Sequence, residues 1–238
     1  MSDKNISKYN KLYAIYFSLL EKVESLINSK DISITWDIFK RISYFILFSM
    51  NDSASMSIFF SFIKNNYNNI ANHMINVGIY ASMLTKMLYP EISDTKLEEL
   101  SRGYFLFDIG MLKIDKNILS KKGKYTEEEL EEIKKHPQYG VDILENQLNI
   151  KSQTIKDIVL EHHERSDGSG YPFGKTDIKR FARICSMCEI FDAITSKRDY
   201  KNSAPKTTFE ALKDNKEYFI NEFGRDMYEA FVKCFILK

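Results

Sequence analysis

This chain of 238 residues has only four histidines, His73, His136, His162 and His163, and each sits beside a helical pattern that starts or stops near a loop. His162 and His163 are adjacent. Helical neighbours point about 100° apart, so both can serve one centre only if it lies at the edge between them. Such a pair suits a solvated helix end as well as a pair of ligands. Asp108 adds weight to the second reading. It stands in Tyr104-Phe105-Leu106-Phe107-Asp108-Ile109-Gly110-Met111-Leu112, and on a continuous helix its neighbours four residues away are Tyr104 and Leu112. A carboxylate buried there costs several kcal/mol unless it is neutralised, paired or metal-bound. Glu189, in Cys188-Glu189-Ile190-Phe191, is a second acid in apolar company. Imidazoles with carboxylates favour Fe, Mn or Zn over Ca or Mg.

The elements that must bring these groups together read as helices. Glycine (9) and proline (4) are scarce, and no alternating apolar run is long enough for a sheet. Tyr9, Leu12, Tyr13, Tyr16, Leu20, Val23 and Ile27 follow helical spacing, and further apolar runs cover residues 38–48 and 56–63. Residues 1–62 are thus expected to form a small helical region for packing, sensing or dimerisation, ahead of a domain over 63–238. In that domain the spacing predicts a helix over 68–89 ending at Pro90. Ser93-Asp94-Thr95 caps a helix running to Asp108, and Thr126 with Glu129 forms a capping box for a helix reaching past His136. Ser152 opens a helix that ends at His162-His163, and the last helix spans about residues 226–236.

Composition excludes several classes. The chain is 44% hydrophobic and 28% charged, so it can build a core and is neither disordered nor a disulfide-stapled miniprotein. Its 34 basic residues against 33 acidic ones argue against a nucleic-acid binder. The 3 cysteines show no framework spacing and suit a reducing cytoplasm, and Cys185-Ser186-Met187-Cys188 reads as two small buried residues on a helix. No targeting signal is expected at the N-terminus. The most apolar stretch, residues 42–50, is far shorter than the ~20 residues that cross a bilayer.

His162-His163-Glu164-Arg165-Ser166-Asp167-Gly168-Ser169-Gly170-Tyr171-Pro172 resembles, without a departure, the HHExxDGxGYP signature of the HD-GYP proteins. Flanking segments resemble that family too: Phe107-Asp108-Ile109-Gly110 at its HDIGK segment, His136-Pro137, and Phe191-Asp192-Ala193-Ile194-Thr195-Ser196 with Arg198-Asp199-Tyr200. The likeness covers roughly residues 65–235. It implies an all-α, HD-type helical bundle, a centre of one or two divalent ions, iron or manganese with zinc as an alternative, and hydrolysis of the bacterial messenger cyclic di-GMP or a related cyclic dinucleotide. By position, His136, His162, His163 and a bridging, catalytic Asp108 are implied to hold one metal. His73, Asp108 and Glu189 are implied to hold the other. Arg198, Tyr171, Pro172 and Lys121 are implied to meet the nucleotide.

The departures shape the expected function. Phe107 replaces the histidine of the HD pair, Met111 replaces the lysine of HDIGK, and Asn69 replaces a glutamate found in three-metal members. Glu189 stands where the family usually has aspartate. One metal site is expected to be complete and a second short of a ligand. The sequence therefore points to a receptor or regulator in cyclic di-GMP signalling with reduced or lost turnover. Its rivals are a working phosphodiesterase that tolerates Phe107, and an interaction module without metal.

Overall fold

A computed structural model describes residues 14, 16–18, 20–21, 24, 70–121, 123–196 and 206–235. Among them the chain is all-helical, with no strand, as its spacing predicts. The elements are α1 (Ile70–Leu88), α2 (Asp94–Phe105), a 3₁₀ turn (Ile109–Lys113), α3 (Lys116–Leu119), α4 (Glu127–Ile133) and α5 (His136–Asn146). They continue with α6 (Gln153–Glu161), α7 (Arg180–Thr195), α8 (Thr208–Asp214), α9 (Lys216–Phe223) and α10 (Arg225–Phe235).

The central element is α1, which is buried without interruption from Ala71 to Thr85 and packs on α2, α7 and α10. A helix apolar on one stripe only would leave a face to water; this one has none. Its polar side chains must therefore find partners inside the protein. Ser82 pairs with Ser101 of α2 at 2.8 Å, and Thr85 with the Tyr104 hydroxyl at 2.8 Å. Phe105, Phe191, Phe219, Phe223 and Phe231 are buried in the same core.

The caps read from the sequence are present. Ser93 Oγ accepts from Lys96 N, Ser152 Oγ accepts from Ile155 N, and Thr126 with Glu129 forms both bonds of its capping box. Two expected helices are shorter than their spacing suggests. The helix opened by Ser93 ends at Phe105, and Asp108 instead precedes the 3₁₀ turn, so Tyr104 and Leu112 are not its neighbours on a helix. The cause is tertiary: a Cβ on Gly110 would lie 1.8 Å from the His136 carbonyl oxygen, so this turn presses backbone to backbone against α5. Likewise the helix from Thr126 stops at Ile133, and His136 opens a new one with Pro137 in its first turn. Proline lacks the N–H that a helix interior needs but fits a first turn. Most of the expected helical region 1–62 lies outside the described residues, as do Asn69 and Arg198.

Candidate metal centre

Three segments converge on one point: the 3₁₀ turn preceded by Asp108, the start of α5 with His136, and the end of α6 with the adjacent His162 and His163. One potential ligand atom from each of these four side chains lies within 4.8 Å of the others. The close approach of Gly110 to α5 is what brings Asp108 beside His136.

The two inner imidazoles have fixed tautomers. His136 donates through Nδ1 to the Ile133 carbonyl at 2.8 Å, and His162 through Nδ1 to the Val159 carbonyl at 2.9 Å. A carbonyl only accepts, so each Nδ1 carries a proton, and in the neutral imidazole each Nε2 is left with a lone pair. These Nε2 atoms stand 3.2 Å apart, and Asp108 Oδ1 is 3.2 Å from one and 3.6 Å from the other. Three acceptors in buried contact repel unless a positive centre lies between them. The donor set thus fits a divalent ion, and backbone-anchored imidazoles are the usual mark of such a site.

Without an ion, a proton on His136 Nε2 can supply that positive charge. Burial alone would raise the Asp108 carboxyl, but hydrogen bonding and charge from His136 and His162 hold it well below the usual carboxylate range. Burial would lower His136, yet Asp108 outweighs it and raises this imidazole. His163 is pushed well down, first by burial and then by His162 and His136, which keeps it neutral and able to ligate.

His73 approaches from the other side, with Nε2 4.0 Å from Asp108 Oδ2. Its Nδ1 donates to Asp192 Oδ2 at 2.7 Å. Asp192, which holds this imidazole, is not among the expected site residues, although an acid in apolar Phe191-Asp192-Ala193-Ile194, three residues after Glu189, is a readable signal. Glu189 lies 3.6 Å from His163 Nδ1, its buried Oε2 lacks a hydrogen-bond partner, and burial raises its carboxyl. That buried, unpartnered oxygen also suits a nearby cation.

Phe107 is fully buried and does not swing away. Its ring meets His73 edge-on at 5.6 Å between centroids and His162 at 5.0 Å. A side chain without a donor atom thus stands between two of the imidazoles.

The loop after α6 is held from within. Glu164 accepts from Phe173 N at 2.8 Å and Lys175 N at 2.9 Å. A Cβ on Gly170 would lie 2.5 Å from backbone atoms of His163, Glu164 and Arg165, so only glycine lets the loop fold back here. The result seats Tyr171 on His163, with rings stacked at 4.5 Å, and Pro172 follows it. Lys121 is engaged elsewhere, 2.6 Å from Glu129 Oε2.

A family model described as HD domain matches residues 61–223. The chain is 35% identical over 164 residues to a cyclic di-GMP phosphodiesterase of Pseudomonas aeruginosa, covering 68% of this chain and 39% of that protein. It is 36% identical over 144 residues to a cyclic di-GMP phosphodiesterase of Thermotoga maritima, covering 60% of this chain and 39% of that protein. To a 3'3'-cGAMP-specific phosphodiesterase of Vibrio cholerae it is 33% identical over 132 residues, 55% of this chain and 25% of that protein. The chain therefore spans well under half the length of these curated relatives. In fold it is similar to an HDG"Y"P protein of Bdellovibrio bacteriovorus, with a TM-score of 0.70, 19% identity, and coverage of 94% of this chain and 71% of that one.

Proposed function

The chain belongs to the HD domain family, and from that premise we propose that it is a metal-binding HD-GYP domain that receives a cyclic dinucleotide of the cyclic di-GMP class and hydrolyses it weakly or not at all. One observation carries this reading: a full set of one carboxylate and three imidazoles gathers around Asp108, while the neighbouring position is taken by the Phe107 ring. Asp108, His136, His162 and His163 would hold one ion, Fe or Mn before Zn. A bound divalent ion supplies a Lewis acid for a phosphoryl oxygen and lowers the pKa of water.

The chain's own residues prepare that chemistry only in part. The carbonyls of Ile133 and Val159 lock two imidazoles as ligands. Tyr171, stacked on His163, offers an aromatic edge to a nucleobase. Met111 leaves no cation where the family lysine would assist, and Phe107 denies a second ion one of its ligands. Losing a positioned cation or acid typically costs about 10²–10⁴ in rate. A regulatory role in the cytoplasm, with residues 1–62 meeting a protein partner or a second copy, belongs to the same reading.

A second reading, an active phosphodiesterase, is favoured by Glu189, whose unpartnered buried oxygen could complete a second ion together with His73 and Asp108. Incubating the full chain and Mn²⁺ with cyclic di-GMP and with 3'3'-cGAMP separates the two. The proposal expects calorimetric binding with at most traces of linear product. Turnover at ordinary enzyme rates, about 1–10³ s⁻¹, supports the second reading instead, and a chain that binds neither metal nor nucleotide leaves an interaction module.

A further inference from the structure

The buried polar face of α1 does not end at the metal centre. Asn76, one turn after His73, donates through Nδ2 to Asp192 Oδ1 at 3.1 Å, while His73 occupies Asp192 Oδ2. Both carboxylate oxygens of Asp192 are thereby held by α1. The far end of this chain of bonds comes from the N-terminal segment. Tyr16 is 1% exposed, its hydroxyl donates to Asn76 Oδ1 at 3.4 Å, and it accepts from Asn72 Nδ2 at 3.0 Å.

An amide has distinct ends: its oxygen needs a donor and its nitrogen an acceptor. With the Tyr16 hydroxyl on Oδ1, Asn76 can turn only Nδ2 toward Asp192. Burial pushes the Tyr16 phenol up to about 12, so it remains protonated and able to donate at neutral pH. We infer that Tyr16 is a positioning residue for His73, so that the seating of Tyr16 on α1 sets the hold of Asp192 on an imidazole that borders the metal centre. A partner that lifts Tyr16 away releases Asn76, removes one donor from Asp192 and loosens His73. Tyr16, within the region read from the sequence as a packing, sensing or dimerisation element, thus has a bonded route to the site. The functional consequence rests on the proposed metal centre; the coupling itself does not.

The test is imidazole proton exchange measured by NMR on the metal-free full chain at neutral pH. In the parent, the His73 Nδ1 proton, held by Asp192, is expected to exchange slowly. Tyr16→Phe, which removes only the hydroxyl, should speed its exchange about tenfold, the value of one lost hydrogen bond. Ser82→Ala, which deletes a buried hydroxyl elsewhere on α1, should leave it unchanged. Equal exchange in parent and Tyr16→Phe, or an equal effect from Ser82→Ala, overturns the inference. If Tyr16→Phe does not fold, 3-fluorotyrosine in place of Tyr16 alters the acidity of the hydroxyl in a nearly isosteric ring and must shift the His73 Nδ1 proton resonance; an unmoved resonance overturns the inference. A separate Mn²⁺ titration of the parent keeps the two accounts apart. Absent binding undoes the metal reading and leaves the exchange difference standing, whereas normal binding with unchanged exchange undoes only the coupling.

Discussion

Phe107 meets His162 edge-on, with ring centroids 5.0 Å apart and planes at 88°. The positive edge of one ring then faces the electron-rich face of the other, a favourable aromatic geometry. The side chain that removes a ligand is therefore also well packed, and the site has been refitted around it rather than left with a hole.

Restoring the family residues should restore chemistry. Phe107→His with Met111→Lys is expected to raise hydrolysis of cyclic di-GMP by about 10²–10⁴ over the parent. Product chromatography reads the gain, and the unfolding midpoint establishes that the variant is folded. A folded, metal-loaded double variant no faster than the parent contradicts the account of its lost activity.

Metal affinity should rise with pH. Despite burial, Asp108 raises the His136 imidazole above its ordinary value. Below that raised pKa a proton competes with the ion for His136, and it must leave for the ion to bind. Affinity for Mn²⁺ is expected to tighten as pH climbs from about 6 to 8, by up to about tenfold per unit below the pKa. Calorimetry across that range checks it, and a flat profile argues against His136 as a ligand.

Gly110→Ala probes the contact that places Asp108. The added methyl would lie 1.8 Å from the His136 carbonyl oxygen and 2.5 Å from Gly140 N, both backbone atoms that cannot rotate away. A loss of about 3 kcal/mol, or about 6–12 °C in Tm, is expected together with weaker metal binding. An unchanged Tm by calorimetry would mean that the turn does not press on α5 as described.

Glu164→Ala removes the acceptor for two backbone N–H groups in the loop that carries Tyr171. The expected cost is about 2–4 kcal/mol, with faster proteolytic cutting between Gly168 and Lys175. Loop cleavage at the parent rate would show that Glu164 does not brace it.

Local chemistry was the most legible part of this molecule. Ser93, Ser152 and the Thr126–Glu129 box mark helix starts within three residues of themselves, and all cap as read. The sequence marks Asp108 as a buried acid, which it is, but its spacing puts that acid on a helix that has already ended. Apolar residues continue through Leu106, Phe107 and Ile109 because the turn is buried too, so hydrophobicity does not record the change of backbone. Gly110 signalled a break, but only the approach of α5 fixes where it falls.

Asp192 was hidden for a different reason. Its partner His73 is 119 residues away, and no spacing rule connects them. The same holds for Tyr16 and Asn76, separated by 60 residues. The direction taken by Phe107 also depends on side chains from distant segments, those of His73 and His162. Such facts belong to tertiary packing and become readable only with coordinates.

The central claim is that a cation belongs among His136, His162 and Asp108. Crystals of the full chain grown with Mn²⁺, measured near the manganese absorption edge, test it most directly. The account predicts an anomalous peak in contact with Asp108 and the Nε2 atoms of His136 and His162, and its loss in Asp108→Asn. Ordered side chains at these positions with no peak between them, at saturating Mn²⁺ and pH 8, would contradict it.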